Sequence, residues 1–336
     1  MGYGHGIKVA SAHLMNYGVL IVSLALGMGC KQPKAQPPSE PGMVAEQSAT
    51  AKPRISFTFD DGVTTAIAGI PYEEWDGMLL DHLEAADLKA VFFVTGKNKT
   101  TAKGRFLLQR WNDEGHRIAN HTFSHPNFNA TRHTAALFED ELLKTDAIIS
   151  GYSHYTRLFR FPYLKEGGEA AKVDSIRRLL TKHGYRNGYV TVDASDWYIN
   201  QRLVKAITAK GLAHTEVARY RDYYVQHLLD RATYYEQLSQ ALHRRTVSHT
   251  LLLHHNLTSA LFLGDLITAF ENQGWEVMNA DTAFEDPIYE QFPDAPFAGE
   301  SLIYSQAKAS GRYEGQLRYP AEDSRYEKET MDEWGL

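Results

Sequence analysis

Apolar residues recur through the middle of the chain in two alternating patterns, short continuous runs and segments of helical period. A short apolar run bounded by turn residues predicts a buried strand, whereas apolar positions three or four apart predict an amphipathic helix. The predicted strands are 55–59, 90–95, 117–119, 158–161, 188–192 and 249–254. The predicted helices are 72–86, 106–114, 134–150, 169–183 and 259–273. This alternation of strand and helix predicts an α/β fold with a parallel sheet or barrel.

One segment interrupts the alternation, because residues 198–250 have a mostly helical pattern. Their apolar side chains fall three or four positions apart, or at multiples of these, and form one stripe: Val217, Tyr220, Tyr224, Leu228, Tyr235, Leu238 and Leu242. Such a stripe either packs against the domain or, because it carries tyrosines, lines a groove for substrate. The pattern therefore predicts a long helical insertion before the last strand and leaves both interpretations of the stripe open.

The amino-terminal part of the chain has a different pattern. Residues 1–30 carry a single charged side chain, and their apolar run at 19–28 is shorter than the roughly 20 residues of a membrane-spanning helix. Such a run is typical of a signal peptide, and its place before Cys30 resembles a bacterial lipoprotein signal, in which this cysteine is lipidated. Residues 31–53 have the Pro-, Gln-, Ala- and Ser-rich composition of a disordered tether. We expect an exported protein, lipid-anchored to a bacterial membrane and facing the periplasm or the exterior, with folded sequence from Arg54.

Composition narrows the classes of function. Hydrophobic residues make up 43% and charged residues 23% of the 336, so a sizeable core can form. The formal net charge is −6 and no long basic run occurs, which argues against a nucleic-acid binder. The single cysteine excludes an intramolecular disulfide and a cysteine-based zinc site, so the 15 histidines are left as the nitrogen ligands for a metal.

Five short motifs follow predicted strands, at the edge where parallel sheets build their active sites. The adjacent carboxylates Asp60 and Asp61 repel each other unless a cation or an arginine compensates them. His121 and His125 are four positions apart and share one face if their segment is helical, and imidazole suits Zn²⁺ and similar metals. Each motif alone is also explained by a turn or by core packing. The motifs are 58–62 (TFDDG), 120–126 (NHTFSHP), 160–163 (RFPY), 193–197 (DASDW) and 251–255 (LLLHH).

In this order, the five motifs resemble those of the polysaccharide deacetylase (NodB homology) family of carbohydrate esterases, over residues 54–286. The resemblance implies a distorted (β/α) barrel and leaves 287–336 as a C-terminal extension. It also implies metal-dependent removal of N-acetyl or O-acetyl groups from a polysaccharide such as a peptidoglycan, chitin-like or exopolysaccharide glycan. The implied cofactor is one divalent ion, Zn²⁺ first and Co²⁺, Ni²⁺ or Mn²⁺ as alternatives, and the implied partner is an acetylated glycan.

The resemblance also assigns roles to the first three motifs. Asp60 is similar to the family's catalytic base, and Arg160 is similar to the arginine that pairs with this base. Asp61, His121 and His125 are similar to the metal ligands. Three protein ligands leave coordination positions for water and substrate, as a catalytic zinc site requires.

The remaining roles concern the leaving group and the acetyl group. His254 is similar to the general acid and Asp196 to the carboxylate that tunes it. An amine is a poor leaving group until it is protonated, and histidine is suited to supply that proton near neutral pH. Tyr163 resembles the residue whose backbone N–H stabilises the oxyanion, while Trp197 and Leu252 resemble the walls of the acetyl pocket.

Two positions depart from the family pattern. Tyr163 is followed by Leu164, where many members have glycine, so we expect a differently shaped oxyanion loop. His254 is followed by His255 rather than by the frequent aspartate. Because neighbouring side chains of a strand face opposite ways, and Leu252 shares the face of His254, we expect His254 to be the acid and keep His255 as a weaker candidate.

Two other functions fit the sequence. A lipid-anchored glycan-binding protein with an inactive site does not need Asp60 and His254, which are both present. A related metal amidase that acts on a non-sugar amide is suggested by the unusual segment 198–250. Acetate release from acetylated glycans, with and without metal, separates these functions from the deacetylase.

Overall fold

The computed structural model describes residues 51–292, 299–319 and 324–336. The described residues belong to one of two units of the chain, Thr50–Leu336. The predicted signal peptide 1–30 with Cys30, and nearly all of the predicted tether 31–53, lie outside the described residues. Within the described ranges, no helix combines the length and the apolar composition that a bilayer span requires.

The strands found in the described residues pair in parallel to form one sheet. Their order is β5-β4-β3-β2-β1-β6, and β7 lies beside the start of β1. β2 pairs with the second half of β1 and β6 pairs along its other edge, so β1 is hydrogen-bonded on both sides. The strands are β1 (Arg54–Asp61), β2 (Val91–Val94), β3 (Arg117–Asn120), β4 (Tyr155–Phe159), β5 (Arg186–Asn187), β6 (Ser248–His254) and β7 (Glu276–Val277).

Residues 186–192, which begin with the edge strand β5, connect β4 to β6 at the opposite edge of the sheet. The Gly188 N–H donates to the carbonyl of Phe159 in β4 (2.7 Å), and the Val192 N–H donates to the carbonyl of Thr250 in β6 (3.1 Å). The prediction of a regular strand at 188–192 is therefore wrong, because this segment leaves one strand and joins another instead of following either. The predicted α/β fold is confirmed, as a parallel sheet curled into a half-barrel with helices around it.

Apolar and polar side chains alternate along β1 and so distinguish the outer face of the curled sheet from its inner face. On one face the rings of Phe57 and Phe59 pack on helix residues, Phe57 at 6.1 Å from Phe270 and Phe59 at 5.6 Å from Trp111. The other face carries Ser56, Thr58 and Asp60, which are also buried. The hydroxyls of Ser56 and Thr58 donate to carbonyls of β6, each at 2.9 Å. The face that ends in Asp60 is therefore the polar interior of the half-barrel.

The predicted helices are present, with ends that differ by a few residues. The largest difference is at α2, which begins at Ala102 because the Thr101 side chain accepts the N–H of Gly104 and caps it. The helices are α1 (Tyr72–Ala85), α2 (Ala102–Asp113), α3 (Ala135–Ile149), α4 (Ala170–Lys182), α5 (Asp196–Lys210), α6 (Val217–His243), α7 (Leu257–Asn272), α8 (Ala280–Ala283), α9 (Leu302–Ser310) and α10 (Arg325–Glu333).

The helical insertion consists of α5 and the 27-residue α6. Of the two interpretations of the apolar stripe, packing against the domain is correct for Tyr220, Tyr224 and Tyr235. These side chains belong to the main core and are at most 6% exposed. The described part of the C-terminal extension joins the same core through fully buried side chains of α9 and α10, among them Leu302 and Met331.

A buried ion pair connects α6 to α10. Arg231 donates to the carboxylate of Glu327 and to the carbonyl of Asp193 (3.2 Å), and both charged side chains are fully buried. His227 Nε2 also lies 3.0 Å from Glu327 and 3.1 Å from the carbonyl of Ala194. Helix α6 therefore contacts the loop that leads into α5, and α10 holds the α6 side chains that make this contact.

Candidate active site and metal centre

Most of the residues that the sequence assigned to the site line one open cavity of about 390 Å³. Arg160 and Asp196 are buried behind its wall, where they contact Asp60 and His254. Apart from Cys30, the structure thus brings all predicted site residues together. Those that line the cavity are Asp60, Asp61, His121, His125, Tyr163, Trp197, Leu252 and His254.

Asp61, His121 and His125 each bring one ligand atom to within 4.8 Å of the others. Asp61 Oδ1 lies 3.8 Å from Nε2 of His121 and 3.6 Å from Nε2 of His125. The ligand atoms of a tetrahedral zinc site with arms of about 2.1 Å are about 3.4 Å apart. The spacing of these three side chains therefore fits a single ion of this size.

The three side chains also have the protonation states of metal ligands. Burial lowers the pKa of His121 and of His125 to about 4, so both rings are neutral at pH 7. Because a carbonyl only accepts, the contact of His121 Nδ1 with the carbonyl of Arg160 (2.9 Å) places the proton on Nδ1 and the lone pair on Nε2. Burial acts to raise the pKa of Asp61, but His254, His121 and His125 outweigh it and lower this pKa.

The two histidines reach the site from an irregular loop. The helical condition under which they share one face is not met, because residues 121–133 contain no helix. Thr122 and His125 have left-handed backbones, with φ of 67° and 60°. The Thr122 hydroxyl accepts the His125 N–H (3.1 Å), and Glu141 of α3 accepts the Ser124 N–H (2.6 Å). Hydrogen bonds within a strained loop, rather than helical period, bring the rings together.

Asp60 is a buried carboxylate held by an arginine. Arg160 Nη1 donates to Asp60 Oδ1 (2.7 Å) and to the Thr58 hydroxyl (2.8 Å), while its Nε donates to the carbonyl of Gly188 (2.9 Å). The guanidinium lies 3.8 Å from the ring centroid of Phe93. Burial raises the pKa of Asp60 to about 6 although Arg160 acts to lower it. Such a carboxylate is mostly ionised at neutral pH and suited to accept a proton there.

His254 stands beside Asp60, because the two residues are register partners on neighbouring parallel strands. Its Nδ1 lies 2.6 Å from Asp196 Oδ1, and its backbone N–H donates to Asp196 Oδ2 (2.9 Å). Asn256 Nδ2 donates to the same Oδ2 (3.1 Å). The carboxylate therefore fixes both the position and the ring orientation of this histidine.

His255, the weaker candidate, points away from the cavity. It is fully buried, its Nε2 lies 2.9 Å from Asp76 Oδ1, and its Nδ1 accepts the Val63 N–H (3.0 Å). The opposite directions of His254 and His255 follow the alternation of side chains along β6.

The rest of the cavity wall is apolar. Leu252 forms a small buried cluster with Leu164 and Val190, and Trp197 lines the cavity beside Leu252. Tyr163 is 45% exposed and its ring centroid lies 4.6 Å from that of His125. Tyr163 and Leu164 are consecutive left-handed residues, with φ of 58° and 53°, a conformation that glycine adopts more easily. The oxyanion role of the Tyr163 N–H stays a prediction.

Some residues that support the site lie outside the five sequence motifs. Lys99 is fully buried and bonds the turn after β1, but in the run GKNKTT nothing distinguishes it from the exposed Lys97. Asn256 was also missed, although an asparagine directly before a helical pattern is a typical N-cap. Its side-chain oxygen accepts the Ser259 N–H (2.9 Å) at the start of α7 while its nitrogen contacts Asp196.

Comparison with known proteins points to one family. Residues 47–188 match the profile of the family described as polysaccharide deacetylase. The chain is 31% identical over 147 residues to the peptidoglycan-N-acetylglucosamine deacetylase of Bacillus cereus, covering 44% of this chain and 47% of that protein. It is 36% identical over 85 residues to a chitooligosaccharide deacetylase of Sinorhizobium fredii, covering 25% of this chain and 34% of that protein.

Among solved structures, the peptidoglycan deacetylase PdaC from Bacillus subtilis aligns with a TM-score of 0.48 and 21% identity, covering 80% of this chain and 98% of that one. The chain spans about half the length of the first curated relatives that it matches, 47%, 51% and 55%.

Proposed function

We propose that this chain, whose residues 47–188 match the polysaccharide deacetylase family, is a metal-dependent hydrolase that removes acetyl groups from a glycan. The observation that carries the proposal is the convergence of Asp61, His121 and His125 on one point, in the wall of a cavity that Asp60 and His254 also line. Relatives named peptidoglycan-N-acetylglucosamine deacetylase and chitooligosaccharide deacetylase support an N-acetylated glycan as the substrate class.

The donor set supports a divalent ion as cofactor. Two neutral imidazoles and one carboxylate suit Zn²⁺ first, and also Co²⁺, Ni²⁺ or Mn²⁺. When bound, such an ion supplies a Lewis acid that polarises the acetyl carbonyl and lowers the pKa of water. Asp61, His121 and His125 would hold this ion.

Asp60 is the proposed proton acceptor when water attacks the acetyl carbonyl. Arg160 holds Oδ1 of this carboxylate, and Oδ2 is turned toward the ligand cluster, 3.7 Å from His121 Nε2. The arginine also fixes the carboxylate in one orientation, so little reorganisation accompanies proton transfer. We assign proton abstraction to Oδ2 for this reason.

His254 is the proposed proton donor to the departing amine. Asp196 holds its Nδ1 and stabilises the imidazolium, so Nε2 is the atom that we assign to the transfer. The adjacent Leu252 and Trp197 provide an apolar surface for the acetyl methyl group. We assign the backbone N–H of Tyr163 to the developing oxyanion, as the family resemblance implies.

Acetate release tests the proposal. The purified protein is expected to release acetate from N-acetylated chitooligosaccharides or peptidoglycan fragments, to lose this activity with a chelator and to regain it with added Zn²⁺. Asp61→Ala and His125→Ala should abolish metal binding and acetate release, while His214→Ala, at an exposed histidine outside the cavity, should change neither.

Three outcomes would contradict the proposal. A metal-free Asp61→Ala variant with full activity would remove the metal from the mechanism. Glycan binding without acetate release under any metal would favour a binding protein with an inactive site. Activity confined to non-sugar amides would favour the alternative amidase.

We also propose that the protein is exported and lipid-anchored through Cys30. The support is the sequence pattern, an apolar run at 19–28 directly before the only cysteine. Expressed in a bacterium, the wild-type chain should incorporate labelled fatty acid and sediment with membranes. Cys30→Ser should lose the label, and a wild-type chain without label would contradict the anchor.

A further inference from the structure

Lys99 is unusual because it is fully buried beside the proposed metal centre. Lysines are rarely buried to this extent unless they pair with a negative charge. Among the described residues, no carboxylate oxygen lies within ion-pair distance of Nζ; its partners are backbone carbonyl oxygens. Nζ donates to the carbonyls of Asp61 (3.0 Å), Gly62 (2.6 Å) and Thr95 (3.1 Å). Three acceptors match the three protons of an ammonium group.

Two of these carbonyls belong to the turn that presents the metal ligand Asp61. Asp61 and Gly62 have left-handed backbones, with φ of 79° and 77°. This conformation is strained for aspartate, so the surrounding structure has to hold it. A Cβ on Gly62 would lie 2.7 Å from Lys99 Cε, so the glycine is also needed to let the lysine reach the turn.

The carbonyl of Asp61 is the centre of this arrangement. It accepts the Thr95 N–H (3.1 Å), the Thr95 hydroxyl (3.0 Å) and the Lys99 ammonium. One residue further along, the Val63 N–H donates to the buried His255. The turn is therefore held from both sides by side chains that do not line the ligand cluster.

The backbone of Lys99 is fixed as well. Its N–H donates to the carbonyl of Gly96 (2.9 Å), and Gly104 of α2 packs so closely that an added Cβ would lie 2.4 Å from Lys99 Cα. The lysine therefore projects from a rigid loop into the turn after β1.

We propose that Lys99 is a positioning residue for the metal centre, which holds the turn after β1 so that the Asp61 carboxylate faces His121 and His125. This inference rests on the proposed metal site. Partners that orient metal ligands from behind are typically worth 10- to 100-fold in metal affinity.

A purely electrostatic effect of Lys99 has the opposite sign. A positive charge beside a cation weakens its binding, so removing the charge alone strengthens metal affinity. Removing the Lys99 hydrogen bonds takes one donor from each of three carbonyls and releases the turn, which weakens affinity. The direction of the change therefore distinguishes positioning from charge.

Lys99→Met is the direct test, because methionine keeps much of the length and loses the donors. We expect about 10- to 100-fold weaker Zn²⁺ binding by the metal-free chain, measured by competition with a chromophoric chelator. The visible absorption of the Co²⁺-loaded protein, which reports ligand geometry, should also change. Lys97→Met removes an exposed lysine from the same loop and should leave affinity and spectrum as in the wild type.

Thr95→Val is the second variant and removes only the hydroxyl that donates to the Asp61 carbonyl. We expect a smaller loss of affinity, about five-fold, and this variant decides the matter if Lys99→Met does not fold by circular dichroism. If Lys99→Met folds, unchanged or tighter Zn²⁺ binding overturns the role of Lys99 but not the metal site. If Lys99→Met does not fold, unchanged Zn²⁺ binding by Thr95→Val does the same. A wild-type chain that binds no ion overturns the metal site itself.

Discussion

His121 and His254 both line the cavity, and their surroundings suit them to different tasks. His121 donates its Nδ1 proton to a carbonyl, is buried and stays neutral, as a metal ligand must be. His254 has the carboxylate of Asp196 at Nδ1 (2.6 Å), which fixes the orientation of its ring. His121 therefore offers its Nε2 lone pair to the ligand cluster with Asp61, whereas His254 is held by Asp196 next to Asp60.

Replacing the proposed acid tests this assignment. His254→Gln should lower kcat for acetate release by about 10²- to 10⁴-fold, because the amine then leaves without a positioned proton donor. Zn²⁺ affinity should change little, since His254 is not one of the three ligands. If His254→Gln binds Zn²⁺ more weakly but keeps the wild-type kcat at saturating Zn²⁺, His254 is a metal ligand rather than the acid.

The buried His116, which lies outside the site, should make the stability of the fold depend on pH. It is buried, its Nδ1 accepts the Ala90 N–H (3.2 Å), and burial lowers its pKa from 6.5 to about 4. The unfolded chain therefore binds the proton first, and stability falls as the pH drops from 6.5 towards 4. This histidine accounts for a loss of roughly 2 kcal/mol between pH 7 and pH 5.

Urea unfolding at the two pH values measures this loss. In His116→Asn the free energy of unfolding should fall by roughly 2 kcal/mol less between pH 7 and pH 5 than in the wild type, whatever the stability of the variant at pH 7. An equal fall in both proteins would show that His116 is not held neutral by the fold.

At the scale of elements, local patterns predicted most strands and helices but not the segments that long-range contacts shape. The run at 188–192 is apolar like a strand, yet its backbone bonds to β4 at one end and to β6 at the other. The histidine loop at 121–125 has helical spacing, yet Thr122 and His125 adopt left-handed backbones under hydrogen bonds from within the loop and from α3. Neither set of partners is visible in a local window of sequence.

Asn256 is the N-cap of helix α7, and its side chain also donates to Asp196 in the site. Asn256→Ala should lower the free energy of unfolding by about 1 kcal/mol, because the Ser259 N–H loses its acceptor. Asn256→Ser keeps a capping oxygen but is too short to reach Asp196, so it should keep the stability and lower kcat. The measurements are urea unfolding and acetate release.

The matched control is Thr101→Ala, which removes the N-cap of α2 far from Asp196 in sequence and outside the cavity wall. It should cost about the same stability as Asn256→Ala without changing kcat. Wild-type kcat in Asn256→Ser would mean that the contact with Asp196 does not orient His254.

At the scale of the whole molecule, the C-terminal part of the chain belongs to the structure that supports the cavity. Helices α9 and α10 are short, each 9 residues, and bury their apolar side chains against distant elements. The weak pattern after residue 287 therefore gave no sign of this packing. The same reason explains why Lys99 was missed, since only the fold brings it under the turn after β1.

The buried pair of Arg231 and Glu327 predicts a non-additive effect on stability. Glu327→Met should lower the free energy of unfolding by about 3–5 kcal/mol, because it leaves the Arg231 charge buried without its partner. The double variant Arg231→Met/Glu327→Met should be less destabilised than Glu327→Met alone. Urea unfolding measures these free energies. If the double variant loses as much stability as two large single losses added together, the prediction is wrong.

The proposed metal centre is tested most directly by anomalous X-ray diffraction at the zinc absorption edge, from crystals of the Zn²⁺-loaded protein. If Asp61, His121 and His125 hold one ion, a single strong peak should lie about 2.0–2.2 Å from a carboxylate oxygen of Asp61 and from Nε2 of both histidines. An active protein whose crystals show no peak between these three side chains, or a peak held by other residues, would contradict the proposed metal centre.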